Sequence, residues 1–159
     1  MNRSKKLLLF SDSHGSTADM VRIVRSEKPD LVLHLGDHAS DGLEVEKETG
    51  VKVKCVKGNC DLYGNEPEVD EVIMCGQRLV FTHGHGYAVK YSVDRISYLA
   101  DEREAAAVFF GHTHMPFREY IGGRWVINPG SIALPRSGVK SYAMCLIGEY
   151  GVVPKIIEI

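Results

Sequence analysis

The chain has 159 residues, 44% hydrophobic and 25% charged, with a formal net charge of -2. That length allows one domain with a substantial core and is short for two. The pI near 6.4 excludes the strong basic excess of a non-specific nucleic-acid binder. The longest uninterrupted apolar stretch, of the Ala105 to Phe110 kind, falls far below the ~20 residues that span a bilayer.

Lys6 to Ser11 reads as the first strand, and polar Ser11, Asp12 and His14 end its apolar run well short of a signal-peptide core. Ser16 is placed to cap a helix, with Asp19 near its positive end and Met20, Val21, Ile23 and Val24 as its apolar stripe. Asp30 to Leu35 is a second strand, and Gly42 to Thr49 is a short charged helix stopped by Gly50. Val51 to Val56 is a third strand, turning at Lys57 to Cys60 into a loop that contains Pro67 and lies near the site. Two βα units in succession predict a parallel start to the sheet.

From Glu71 the pattern changes to a hairpin, EVIMC and RLVFTH flanking Cys75-Gly76-Gln77, where a second sheet begins. Ser92 to Arg103 reads as a helix with Val93, Ile96, Tyr98 and Leu99 among its apolar positions, and Ala105 to Gly111 as a buried strand. Turns at Gly122-Gly123 and near Gly148 to Gly151 close two more hairpins, and Val152 to Ile159 is the last strand. This order predicts an α/β (α+β) fold: a four-layer sandwich of two mixed β-sheets face to face, with helices outside.

Cys55, Cys60, Cys75 and Cys145 form no CxxC pair, which fits unpaired thiols in a reducing compartment; a soluble, cytoplasmic protein is expected. Lys52, Lys54 and Lys57, and again Arg136 and Lys140, read as solvated faces, so nucleic acid leaves no strong signal.

Function is written at the strand ends. LLLFSDSH, LVLHLGDH, VKCVKGNCD, RLVFTHGH and AVFFGHTH all pass from an apolar run to histidine, acid or amide, where a parallel strand delivers side chains into a crevice. Singly, each motif has an ordinary reading: Asp12-x-His14 arises by chance, Asp37 is a turn former, and Asn59 suits an Asx-turn. His112-x-His114 is stronger, because a histidine pair leaving a buried strand is costly unless something binds it. Together Asp12, His14, Asp37, Asn59, His83, His112 and His114 offer imidazole nitrogens and hard oxygens without paired thiolates. That donor set suits Mn, Fe, Ni or Zn at a catalytic centre.

In chain order the blocks DSH, GD, GNCD, THGH and GHTH resemble the DxH, GD, GNxD, H and GHxH of the calcineurin-like metallophosphoesterases, a likeness spanning residues 12 to 131. The small size, GNCD, and Asn128-Pro129-Gly130-Ser131 followed by Pro135-Arg136 resemble in particular the compact YfcE-type phosphodiesterases. The resemblance implies one metallophosphoesterase domain over 1–159 and a divalent-metal-dependent hydrolase of a small phosphodiester. It implies two divalent ions, Mn first with Ni, Fe or Zn accepted, bridged by Asp37. Asp12, His14 and His114 complete one site, and Asn59, His83 and His112 the other. A hydroxide held between the ions would attack phosphorus in line, so no protein nucleophile is required. Asp37, Asn59 and His85 are the catalytic candidates.

Many relatives carry a histidine where this chain has Cys60, able to contact phosphate and help protonate the leaving group. A thiol is a poorer acid, so diesters and activated aryl esters are expected to outrun ordinary monoesters. His85 and His38 stand beside ligands, as hydrogen-bond partners or as proton carriers, and His34 reads as a core histidine. Asn128 to Ser131 is expected to support the site, and Arg136 either meets phosphate or makes a surface ion pair. The resemblance also reaches the small retromer subunit, so a non-catalytic protein-assembly scaffold is the alternative function. Seven competent ligand positions favour catalysis. Relatives often self-associate, which admits a homo-oligomer, and no membrane partner is implied.

Overall fold

Strand β1, Lys5–Phe10, shows how the layers arise: all of Leu7 to Phe10 are fully buried, and successive side chains leave opposite faces of the sheet. Leu7 and Leu9 enter a core shared by two sheets, while Leu8 and Phe10 pack under helices. The computed structural model describes residues 3–159. After β1 come α1 (Thr17–Glu27), β2 (Leu31–His34), α2 (Ala39–Thr49), β3 (Val53–Cys55), β4 (Val69–Met74) and β5 (Gln77–Thr82). Then follow α3 (Asp94–Glu102), β6 (Ala107–Phe109), β7 (Pro116–Ile121), β8 (Arg124–Pro129), β9 (Ser141–Gly148) and β10 (Gly151–Glu158).

The first sheet runs β10-β9-β1-β2-β3, and the second β4-β5-β6-β8-β7. Both are mixed: β1, β2 and β3 are parallel, as are β5, β6 and β8, with antiparallel hairpins at their edges. Leu33, Leu79, Phe81, Phe109, Ile127 and Ile147 join Leu7 and Leu9 between the sheets. Met20, Ile23, Val24 and Val45 bind α1 and α2 to the outside of the first sheet. Ile96, Leu99 and Ala100 bind α3 to the outside of the second. Each such Val, Leu, Ile, Met or Phe side chain contributes ~1.5–3 kcal/mol on leaving water. This is the four-layer sandwich expected, and the C-terminal hairpin returns to the first sheet beside β1.

Three local expectations are corrected. Ser16 occupies the position before α1, but its hydroxyl makes no capping bond; ψ there is 71°, and its amide closes a turn onto the Ser13 carbonyl. Helix α2 begins at Ala39, three residues before Gly42, because the Asp61 carboxylate accepts from the His38 and Ala39 amides at 2.9 and 3.0 Å. A cap supplied from more than twenty residues away leaves no local signal. Gly42 is then an interior helix residue, and a side chain there would run into Cys55 Sγ. The core strands β2, β3 and β6 are also shorter than their apolar runs, whose last residues turn into the loops of the site. No helix of the described residues is long and apolar enough to cross a membrane, and all four cysteines are free.

Candidate metal centre

The ends of β1, β2, β3, β5 and β6 meet along one edge of the sandwich. Backbone bonds tie them together: the Asp12 amide donates to the Gly36 carbonyl at 3.1 Å, and the Gly111 amide to the His83 carbonyl at 2.9 Å. Glycines permit the approach. A side chain at Gly36 would lie 2.8 Å from the Gly58 amide and from His83 Nδ1, and one at Gly58 would occupy the place of Asp37 Oδ1. Asp12, His14, Asp37, His112 and His114 all adopt positive φ, between 45° and 70°. At ~1–2 kcal/mol per non-glycine residue this is strain held by the surrounding fold, as functional sites commonly hold it.

Asp12, His14, Asp37 and His114 each bring one ligand atom within 4.8 Å of all the others. Asp12 Oδ2 is occupied, accepting from the Ser11 hydroxyl at 2.7 Å and the His112 amide at 3.1 Å. Asp12 Oδ1 and His14 Nε2 are buried and make no hydrogen bond, although His114 Nε2 stands 3.3 Å from Asp12 Oδ1. Buried polar atoms are nearly always satisfied, so two orphans facing one cluster fit a cation. The remaining three candidates meet around His83 Nε2, which lies 3.0 Å from Asn59 Oδ1, 3.2 Å from His112 Nδ1 and 3.5 Å from Asp37 Oδ2. Asp37 therefore borders both groups, its other oxygen accepting from the Cys60 amide at 2.9 Å.

Two imidazoles are aimed by carbonyls. His83 Nδ1 donates to the Leu35 carbonyl and His114 Nδ1 to the Leu134 carbonyl, each at 2.7 Å, which turns Nε2 inward as an available ligand atom. Burial disfavours charge on Asp12 and Asp37, yet His114 at Asp12 and His83 at Asp37 more than offset it and hold both carboxyls below the usual range. In return His83 is raised against the effect of its own burial by Asp37 and Asp12, and His114 is raised by the Asp12 carboxylate 3.3 Å from its Nε2. Burial, and then the His83 charge, push His112 down to about 4. Carboxylates that draw protons onto neighbouring imidazoles make a cluster that attracts positive charge.

His85 is exposed and makes no hydrogen bond among the described residues; its ring lies 5.5 Å from that of His83 and 6.3 Å from that of His112. The His38 ring stands 5.1 Å from that of His14. Asn128 Nδ2 donates to the Gly111 carbonyl and the Thr113 hydroxyl, and Ser131 Oγ to the Asp12 carbonyl, so the Asn128 to Ser131 loop braces both histidine-bearing turns. Arg136 makes no ion pair among the described residues, and its amide donates to the His114 carbonyl.

Sequence reasoning missed Asp41 and Asp61. Asp61 Oδ2 accepts from the Gly58 amide while its other oxygen caps α2, joining two ligand loops; its place in GNCD was the available signal. Asp41 belongs to a buried relay. The Gly36 amide donates to His34 Nδ1 at 3.2 Å, His34 Nε2 donates to Ser13 Oγ at 2.8 Å, and Ser13 donates to Asp41 Oδ2 at 2.7 Å, which also accepts from the Gly15 amide. His34 is thus the core histidine expected, and it also holds the loops of Asp12 and Asp37 together.

Burial pushes the His34 imidazole down to about 4, against the pull of Asp41. Between pH 6.5 and about 4 the unfolded chain binds a proton here and the folded chain does not, so stability falls as pH falls through that window. Urea unfolding of chelator-treated protein at pH 7 and pH 4.5 should show an acid loss about 2–3 kcal/mol smaller in His34→Gln than in the parent. Equal losses would remove His34 as the cause.

Residues 6–149 match the family model of the calcineurin-like phosphoesterase superfamily domain. The chain is 35% identical over 143 residues to YsnB of Bacillus subtilis, a probable metallophosphoesterase, covering 87% of this chain and 82% of that one. It is 29% identical over 170 residues to the phosphodiesterase YfcE of Escherichia coli, covering 87% and 86%. A predicted phosphoesterase from Streptococcus pneumoniae superposes with a TM-score of 0.76 at 27% identity over 99% of both chains. Vps29 of Entamoeba histolytica complexed with Zn2+ superposes with a TM-score of 0.75 over 96% and 98% of the two chains, but at 18% identity, which is a likeness of fold. A family match over most of the chain and a relative above 30% identity point the same way, and the chain belongs to the calcineurin-like phosphoesterase superfamily.

Proposed function

We propose that this protein is a divalent-metal-dependent phosphodiesterase that hydrolyses a small phosphodiester at a two-metal centre. The observation that carries the reading is the convergence of Asp12, His14, Asp37 and His114, with Asp12 Oδ1 and His14 Nε2 buried and making no hydrogen bond. Asp12, His14 and His114 would hold one ion, Asn59, His83 and His112 the other, and Asp37 both. The mixture of imidazole and oxygen donors suits Mn, with Ni, Fe or Zn accepted. When bound, two such ions supply an activated water as nucleophile and neutralise charge developing on the phosphoryl oxygens.

The chain's own residues orient and exclude. The Leu35 and Leu134 carbonyls fix the tautomers of His83 and His114, and the Cys60 amide fixes Asp37. His85, exposed at the border of the cluster, is free to carry a proton to the leaving oxygen. Desolvation and then the Asp37 charge raise the Cys60 thiol above its usual range, so it is neither a thiolate nucleophile nor an effective acid. Diesters and activated aryl esters are therefore the expected substrates, in preference to alkyl monoesters. The same reading takes residues 1–159 as one domain and the compartment as cytoplasmic, which the free cysteines suit.

The alternative, a protein-assembly scaffold on this fold, gains support from the Vps29 likeness in fold alone. The seven ligand positions favour catalysis. The test is turnover of bis-p-nitrophenyl phosphate and p-nitrophenyl phosphate by metal-stripped protein, with and without added Mn. Mn-dependent turnover that is faster on the diester is expected. No turnover with any divalent ion, despite bound metal, would favour the scaffold.

A further inference from the structure

Beside the turn that carries His112 and His114 lies a cavity of about 690 Å3 that the proposed chemistry leaves unused, a volume within the range of small-molecule sites. Its apolar walls come from Val89, Val93, Phe110 and Phe117, with the Phe110 and Phe117 ring centroids 6.1 Å apart. Tyr91, 93% exposed, adds a further aromatic face. Thr113, which stands between the two imidazoles in the chain, lines the same cavity. Its hydroxyl accepts from Asn128 Nδ2 at 2.9 Å and from the Met115 amide at 3.1 Å, so the wall shared with the ligand turn is held in place.

Charge decides what the cavity suits. Lys90 and Arg136 both line it, and neither makes an ion pair among the described residues. Both share this lining with Thr113, and the Arg136 amide donates to the His114 carbonyl at 3.1 Å. Asp94 and Glu119 are the acidic residues of the lining. Two cations and two carboxylates balance, which disfavours an arm with a second phosphate. An arm that is uncharged, planar and aromatic, with hydroxyl and N–H donors for the carboxylates, fits all four features.

We propose that this cavity holds one ester arm of the phosphodiester substrate and that the arm is a nucleoside, its base against Phe117 and Tyr91, its donors toward Asp94 and Glu119, and Lys90 and Arg136 facing the scissile phosphate. The proposal rests on the phosphodiesterase reading above.

The test compares two diesters with the same leaving group, thymidine 5'-(p-nitrophenyl phosphate) and methyl p-nitrophenyl phosphate, on Mn-loaded protein. Hydrolysis of either breaks the aryl P–O bond, places the water oxygen on phosphorus and releases p-nitrophenolate, so the kcat/KM ratio reads only the retained arm. The nucleoside ester should be preferred at least about tenfold, the order that one stacked base contributes. Val93→Trp, which fills the cavity, and Phe117→Ala, which removes a stacking face, should each bring the ratio close to one, with melting temperatures showing that both variants fold. A parent ratio near one, or a ratio unchanged in both variants, overturns the cavity assignment while leaving the phosphodiesterase reading intact. No turnover of either ester overturns that reading and the assignment with it.

Discussion

Asp37→Ala should lower Mn-dependent turnover of bis-p-nitrophenyl phosphate by ~10³-fold or more, beyond the 10- to 100-fold that loss of a partner outside the ligand set costs a metal site. The reason is position. Asp37 is one of four residues whose ligand atoms lie within 4.8 Å of one another, and its second carboxylate oxygen lies 3.5 Å from His83 Nε2 in the neighbouring group. Asp12 Oδ1 also comes within 3.8 Å of His83 Nε2, but Asp37 lies nearer, and under the two-metal proposal its loss would weaken both ion sites at once. Asp37→Asn separates charge from shape, because the amide oxygen can still accept from the Cys60 amide where the carboxylate does at 2.9 Å. Both variants should keep the parent's circular dichroism and bind Mn more weakly by calorimetry. Turnover by Asp37→Ala within tenfold of the parent would sink the bridging role.

Gly58→Ala should be nearly as damaging without removing any ligand. The alanine methyl would coincide with Asp37 Oδ1 and the Asp37 amide, and would sit 3.0 Å from Asp37 Cγ. The obstacles are a backbone atom and a carboxylate held by two neighbours, so the loop after β3 must withdraw from the loop after β2. Asn59 moves with it, away from His83 Nε2. A displacement of about 1 Å in a catalytic constellation costs on the order of 100-fold in rate, and overpacking costs ~1–3 kcal/mol of stability. The expected outcome is a folded protein with a lower melting temperature, weaker Mn binding and at least ~100-fold lower kcat/KM. Gly148→Ala is the control, since a side chain there meets no atom within 4 Å and its backbone, like that of Gly58, is outside the left-handed region. Unchanged Mn affinity in Gly58→Ala would show that the two loops need not touch for the site to form.

The gathering of the candidate residues was legible because each sits where an apolar run stops, and a parallel strand has only its C-terminal end at which to present a polar side chain to a crevice. The runs at Leu7 to Phe10 and Ala107 to Phe110 could only be buried strands, so Asp12 and His112 had to emerge at the same edge. The supports were not legible. Asp61 caps a helix that begins more than twenty residues earlier, and Asp41 reaches Ser13 and Gly15 across the space between two loops. In the chain Asp41 is one acid in a charged stretch, and Asp61 shows only its place in GNCD, not the helix it caps. Ser16 shows the converse, a good capping residue whose hydroxyl goes unused because the turn before it is shaped by the Gly15 contact with Asp41.

By itself the sequence determined the layers, the strand ends and the identity of the groups gathered there, because hydrophobic periodicity and motif order act over a few residues at a time. Tertiary structure alone decided which sheet receives β9 and β10, which nitrogen each imidazole presents, and which buried atoms are left without a partner. Those outcomes depend on carbonyls such as Leu35 and Leu134 and on carboxylates such as Asp41 and Asp61, brought to the site from distant parts of the chain. Hydrogen bonds are set by distance and angle in space, and nothing in local propensity records them.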